Sequence, residues 1–346
     1  MPLLYRRHDA AGEAKYQDVK RLARSQRRVL AGTPGMLKQR TLSGKQYWMR
    51  EYIRADGKKT DEYVGAVATV DAARVRELRQ EIELARALAA GSAALRLFGY
   101  QRIDRKPAAV LAVLFNHGLL SRGLTLVGSH AYGALLNELG ISAAGYKTQD
   151  LDVARGEALA LAREPVDFVS LLGETGLEFV PVPGLPSRRP SASYKLPGAE
   201  GLGVDLLVPG RVTGEVVPLA ELSAHAQTIA LLDFLIEEPV PAAVLSPNQV
   251  IPLRVPAPER FALHKLFSSQ SRASEREKVR KDLDQAAVLA AAVEEDTPER
   301  LLDAYTVLPR AGRSAVKRGA RAAAKLLDDR HLAGREALAS IAGRAN

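Results

Sequence analysis

The chain has 346 residues, 47% of them apolar and 26% charged, and a formal net charge of +9. Those proportions exclude a disordered or collagen-like chain, and the length exceeds what one core usually supports. The lack of cysteine excludes disulfide scaffolds and thiolate-bound metals, and no uncharged apolar run reaches the ~18 residues of a membrane helix.

The first 16 residues, MPLLYRRHDAAGEAKY, show no apolar stretch of a signal peptide, so a cytoplasmic location away from membranes is expected. Residues 1–50 hold twelve Lys and Arg against three Asp and Glu. A basic arm of this kind suits a polyanion, nucleic acid first, although plain solubility explains it as well. Within the arm, residues 14–30 have a helical pattern, and a Gly/Pro stretch follows at 31–39. Two short strands, 46–54 and 60–67, flank the Asp56-Gly57 turn of a hairpin. Trp48, Arg50, Tyr52 and Arg54 alternate along the first strand and so share one face. Such a face suits base stacking and phosphate contact; the favoured alternative is that its aromatics pack on the hairpin's own helix. That helix spans 71–98, capped by Asp71. Residues 1–105 thus form a basic N-terminal segment.

An α/β pattern occupies 106–256. A helix over 107–120 leads to a strand at 124–128, and a second helix carries Tyr132, Leu135, Leu136 and Leu139 at helical spacing. Strand-like runs follow at 150–154, 177–182, 204–208 and 249–255. The junction Gly128-Ser129 ends a strand and opens a helix, where unpaired amides and a positive dipole favour an anion. Alone, that turn is weak evidence. Asp150 and Asp152 point to one face of the next strand with no apparent basic partner. A divalent cation resolves their repulsion, and hard oxygen ligands suit Mg²⁺. Asp205 sits inside the apolar run GLGVDLLVP, where an unpaired charge is costly. Three strand carboxylates with a phosphate-type turn describe metal-dependent phosphoryl or nucleotidyl transfer.

Residues 257–346 are helical and rich in Ala, Leu and Arg; the last 37 hold nine Lys and Arg against three Asp and Glu. Lys265 lies in PERFALHKLFSS, and Lys281-Asp282 in EREKVRKDLDQAAVL. On a helix, Lys278, Lys281, Asp282 and Gln285 form a polar stripe beside the apolar Val279, Leu283, Ala287 and Ala290. The plain reading is a solvated face with a Lys278–Asp282 pair. Among the six histidines none has metal-ligand helical spacing; His130 is expected to cap its helix or donate to phosphate, and His264 to pack or neighbour a nucleotide. Tyr132 reads as core. Ser191, Ser193, Tyr194 and Lys195, before the Asp205 strand, read equally as cleft lining or mobile loop, and Arg188-Arg189 as solvated surface.

The order Gly-Ser, Asp-x-Asp, then a later strand Asp resembles the polymerase-β-like nucleotidyltransferase superfamily. With the Lys265 and Lys281-Asp282 stretches it resembles the stand-alone bacterial branch that includes AbiE-type and MenT-type toxins, over roughly residues 106–295. One departure is the 20 residues between Ser129 and Asp150, longer than is usual in the superfamily. The resemblance implies an α/β (α+β) fold: a small mixed-sheet catalytic core at 106–256, the N-terminal helix and hairpin extension, and a C-terminal helical domain at 257–346. It implies that Gly128 and Ser129 hold the β and γ phosphates of an NTP. Asp150, Asp152 and Asp205 would bind Mg²⁺ or Mn²⁺, with two metals, and Asp205 would also help activate the acceptor hydroxyl. Lys265 would reach the triphosphate, with Lys281 and Asp282 near the nucleotide or the acceptor. RNA, tRNA included, is the expected acceptor, and a toxin role with an antitoxin partner is implied by kinship alone. The competing readings are transfer to a small molecule or protein, a catalytically degenerate nucleic-acid-binding protein, and, less supported, a metal-dependent phosphohydrolase.

Overall fold

The computed structural model describes residues 4–144, 148–156, 166–184, 190–198, 201–271 and 275–344. The fold is mixed α+β. Strand β1 (Tyr5–Arg7) precedes helix α1 (Ala10–Arg24). The helix starts four residues before the sequence pattern suggested, because the Asp9 side chain accepts from Gly12 N at 2.7 Å and caps it. It also stops six residues early. Gln26 folds back to donate to the Ala23 and Val250 carbonyls, and Asn116 pairs with the backbone of Val29. The Gly/Pro stretch then runs into a strand that the sequence did not signal, β2 (Met36–Leu42), which pairs antiparallel with β3 (Lys45–Ile53). β3 pairs in turn with β4 (Lys59–Ala66), closing the expected hairpin over Gly57 at φ +85°. Helix α2 (Ala72–Leu97) is capped by Asp71 through Ala73 N.

The face of β3 shared by Trp48, Arg50, Tyr52 and Arg54 is used internally. Arg50 is fully buried and donates to the Ala31, Thr33 and Pro34 carbonyls and to Glu62. Its guanidinium lies 4.1 Å from the centre of the Tyr52 ring, and Arg79 of α2 lies over Trp48. Arg54 donates to Asp56 and to the Gly176 carbonyl. The aromatics of this face therefore pack within their own segment, as the favoured alternative has it.

The central sheet is built from β5 (Leu124–Leu126), β7 (Asp150–Arg155), β9 (Ser193–Lys195), β10 (Gly203–Gly210), β11 (Val216–Leu219) and β12 (Ala224–Ala230), with β8 (Val180–Pro181) on β9. β6 (Ile141–Ala143) instead pairs with β1. β10 runs parallel to β7 and β12, while β5 is antiparallel to β7. Around the sheet pack α3 (Arg105–Asn116), α4 (Gly128–Glu138), α5 (Phe168–Gly173), α6 (Leu232–Ile236) and the β13 (Val240–Leu245)–β14 (Val250–Val255) ribbon. Leu151 and Val153 of β7 and Val204 and Leu206 of β10 are buried; their alternation sends the intervening carboxylates to the other face.

The C-terminal segment is helical: α7 (Pro258–Ser271), α8 (Arg276–Asp296), α9 (Arg300–Thr306), α10 (Arg310–Ala324) and α11 (Leu332–Gly343). One apolar core runs from Tyr5 through the sheet to Ile341, so these helices share it with the sheet. No helix among the described residues is long and apolar enough to cross a membrane.

Candidate active site

The site is assembled by strand register at one end of the sheet, on its interior strands β7 and β10. Asp152 on β7 lies directly opposite Asp205 on the parallel β10, and Asp150 lies opposite Gly203. In-register neighbours on adjacent strands point the same way, so the three carboxylates share one face. β5 runs the other way and ends beside them: Val127 N donates to the Asp152 carbonyl at 3.0 Å. The next residue, Gly128, starts α4 at φ +67°. A Cβ at Gly128 would lie 1.9 Å from Asp152 Oδ2, and one at Gly203 would lie 2.8 Å from Asp150 Oδ1. Gly128 is thus required by its left-handed backbone and the close approach of Asp152, whereas at Gly203 only the flexible end of Asp150 would have to shift; the Gly-Ser turn sits against the Asp-x-Asp strand. The 20-residue spacing does not separate the two motifs; Gly145–Lys147 of that connection fall outside the described residues.

Ser193 on β9 is the register partner of Asp205, and its hydroxyl donates to Asp205 Oδ1. The sequence left Ser193 as loop or cleft lining; the strand alternation of Ser191, Ser193 and Lys195 was the available signal. Burial pushes the Asp205 carboxyl above the usual range, the Ser193 hydrogen bond pulls it back, and the charge of Asp150 raises it again. Tyr194, the intervening residue, is buried. Arg188-Arg189 lies outside the described residues.

The first turn of α4 has no side-chain cap. His130 does not take the capping role. Burial pushes the His130 imidazole down to about 4; Asp104 pulls it up and Lys281 pushes it down. The ring is therefore neutral at pH 7, and its buried Nε2 has no hydrogen-bond partner among the described residues. A cavity of about 730 Å³ opens beside the turn, lined by Ser129, His130 and Gly133 of α4, by Gln101–Asp104, and by Thr148 and Gln149. Its volume is that of a small-molecule site. The carboxylates stand next to this cavity, after Gln149, rather than in its wall.

Lys265 and Asp282 are brought together, with Lys265 Nζ donating to Asp282 Oδ1 at 2.8 Å. Asp282 is 1% exposed and Lys265 12%, so the pair is buried between α7 and α8. The polar stripe of α8 is not a solvated face: Asp282 and Gln285 are buried, and Lys278 pairs with Glu275 instead of Asp282. Lys281, half-buried, is close enough to His130 to influence it. Tyr132 is core, its ring stacked near Phe261, and His264 packs against the Ala230 carbonyl.

Among the described residues no three His, Asp or Glu side chains are drawn together closely enough to enclose a metal ion. The donor set still fits a hard dication. Two carboxylates are in register with a third one pleat away, and their crowding is felt in the raised Asp205 carboxyl.

A family model described as nucleotidyltransferase matches residues 105–308. The chain belongs to the nucleotidyltransferase family. The match contains every candidate residue above and starts at the first residue of α3. The reaction class is therefore transfer of a nucleoside monophosphate, with an NTP as donor. Among solved structures the chain is similar to an antigenic nucleotidyltransferase-like protein from Paracoccidioides brasiliensis. The two are 15% identical with a TM-score of 0.31, over 61% of this chain and 92% of that one. No curated protein matches.

Proposed function

We propose that this nucleotidyltransferase moves a nucleoside monophosphate from an NTP to a hydroxyl of RNA in a Mg²⁺-dependent reaction. The observation that carries this reading is the closure of Gly128 on Asp152 with Asp152 in register with Asp205. It brings a phosphate-type helix N-terminus and the carboxylates together at one end of the sheet.

In this reading the N-terminal amides of α4 and the Ser129 hydroxyl bind the β and γ phosphates, and the nucleoside extends into the neighbouring cavity. Asp150, Asp152 and Asp205 are the residues that would hold Mg²⁺, or Mn²⁺ in its place. Such ions neutralise the triphosphate and stabilise the attacking and leaving oxygens. The acceptor oxygen bonds to the α-phosphorus as the bond to the β-phosphate oxygen breaks, and pyrophosphate leaves. Asp205, with its raised affinity for a proton, accepts the hydroxyl proton, while Ser193 holds its carboxylate in place. Lys281 adds positive charge beside the α4 turn. Lys265 and Asp282 act as a pair that fixes α7 to α8, rather than as a lysine reaching for the triphosphate. The acceptor assignment rests on the basic excess at both ends of the chain.

The test is incubation of each α-labelled NTP with Mg²⁺ and, separately, total RNA, protein and small metabolites. Label in RNA that Asp150→Ala and Asp152→Ala abolish supports the proposal. Label only in protein or metabolites refutes the RNA acceptor, and no transfer anywhere would favour a degenerate binding protein. The toxin role implied by the AbiE-type and MenT-type resemblance predicts growth arrest on induction, relieved by Asp152→Ala; unimpaired growth with active enzyme refutes it.

A further inference from the structure

Helix α10 carries Arg310, Arg313, Lys317, Arg318 and Arg321, is followed by Lys325, and has no acidic residue. At 100° per residue, Arg310, Lys317, Arg318, Arg321 and Lys325 fall within an arc of about 100°, over an axial length of about 22 Å. Gly312, Val316, Gly319, Ala320 and Ala323 are buried on the opposite side. Two glycines fix this rotation. A Cβ at Gly319 would lie 2.4 Å from the Leu266 carbonyl oxygen of α7, and one at Gly312 would lie 2.3 Å from Leu231 Cδ1. The helix is therefore seated glycine-side down with its basic face outward.

Arg310, Arg318, Arg321 and Lys325 are exposed. Arg318 donates to Ser314 and Arg321 to the Ala342 carbonyl, both neutral acceptors. Among the described residues none of the four has a carboxylate partner, unlike Arg74 with Glu77 and Arg280 with Asp284, and here the four lie together on one helix face. Like charges three and four residues apart oppose helix formation, so the stripe is held against a cost. Arg313 and Arg344, both 5.8 Å from the Tyr305 ring centre, extend the patch toward the end of α11. The exposed face presents no large apolar side chain, as a protein interface core or a membrane-inserting helix would need. Arginine forks match phosphate oxygens.

We propose that this face of α10 docks the sugar–phosphate backbone of an RNA acceptor. The inference rests on the RNA reading above, and its test requires no transfer. Full-length protein is titrated with labelled bulk tRNA and with a 20-nucleotide single-stranded RNA, in EDTA without nucleotide, across a KCl series. The variant carries Arg310→Gln, Arg318→Gln, Arg321→Gln and Lys325→Gln. Each phosphate contact contributes about 0.7–0.9 to the log–log salt slope, so the variant should lose about 3 from that slope and bind at least tenfold more weakly at low salt. The Lys replacements Arg310→Lys, Arg318→Lys and Arg321→Lys should keep the slope. If the fourfold variant does not fold, each single Gln replacement should lose about 0.7–0.9. An unchanged slope overturns the proposal. So does wild-type protein that binds phosphatidylserine vesicles but neither RNA. Binding without NMP transfer would fault the catalytic reading and leave this surface standing.

Discussion

Replacing Gly128 with Ala tests the contact that joins the two motifs. The new methyl would lie 1.9 Å from Asp152 Oδ2 and 2.8 Å from its Cγ, where ordinary contact begins at 3.4 Å. The carboxylate must retreat by about 1.5 Å, or the first turn of α4 must move away. Alanine at a left-handed position adds about 1–2 kcal/mol. The fold can absorb that penalty, because the clash is with one side chain near the end of β7. The chemistry cannot: a displacement of about 1 Å in a positioned catalytic group can cost ~100-fold. NMP transfer by Gly128→Ala should therefore fall at least ~100-fold, with circular dichroism unchanged and a melting temperature lower by a few degrees. Label transfer at saturating NTP and a thermal melt on the same preparation measure both. Wild-type turnover in a folded Gly128→Ala protein would refute the reasoning, since Asp152 could then occupy a different place without consequence.

Gly203→Ala presses Asp150 less, at 2.8 Å, and should reduce transfer by a smaller factor than Gly128→Ala; the same assay ranks them. Ser193→Ala removes the hydrogen bond that lowers the Asp205 carboxyl, so the acidic limb of the transfer pH profile should move to higher pH. Asp205→Asn should abolish transfer and raise the melting temperature at pH 7. A carboxyl raised in the folded state is favoured protonated, its ionisation costs stability as pH rises through the folded value, and that cost is absent in the amide. Asp282→Ala leaves the buried Lys265 without its carboxylate and should cost about 3 kcal/mol in urea unfolding, whatever it does to turnover.

Much of the site was legible because it depends on local patterns. The strand-to-helix junction at Gly128 and the alternation of Asp150 and Asp152 follow from periods that any strand or helix obeys. Asp205 was legible as a charge in an apolar strand. Its register with Asp152 was not, because pairing between distant strands leaves no mark in either one. The hydrogen bond from Ser193 depends on the same pairing. The Lys265–Asp282 pair was not legible for a related reason. A helical stripe fixes which residues share a face, but not what packs on that face, and α7 covers it. The basic hairpin face was ambiguous until Arg50 was seen to be buried among backbone carbonyls. β2 was hidden by the Gly/Pro stretch before it, with Gly35 at φ +72° turning the chain into the strand.

If the carboxylates of β7 and β10 serve nucleotidyl rather than phosphoryl transfer, the α-phosphorus of the NTP is the atom that moves. The most direct measurement uses one NTP labelled at the α-phosphorus and, in parallel, at the γ-phosphorus, with RNA and Mg²⁺. The account predicts α-label in RNA, γ-label only in released pyrophosphate, and loss of both signals in Asp152→Asn. Label from the γ position in RNA, or undiminished α-label transfer by Asp152→Asn, would contradict it.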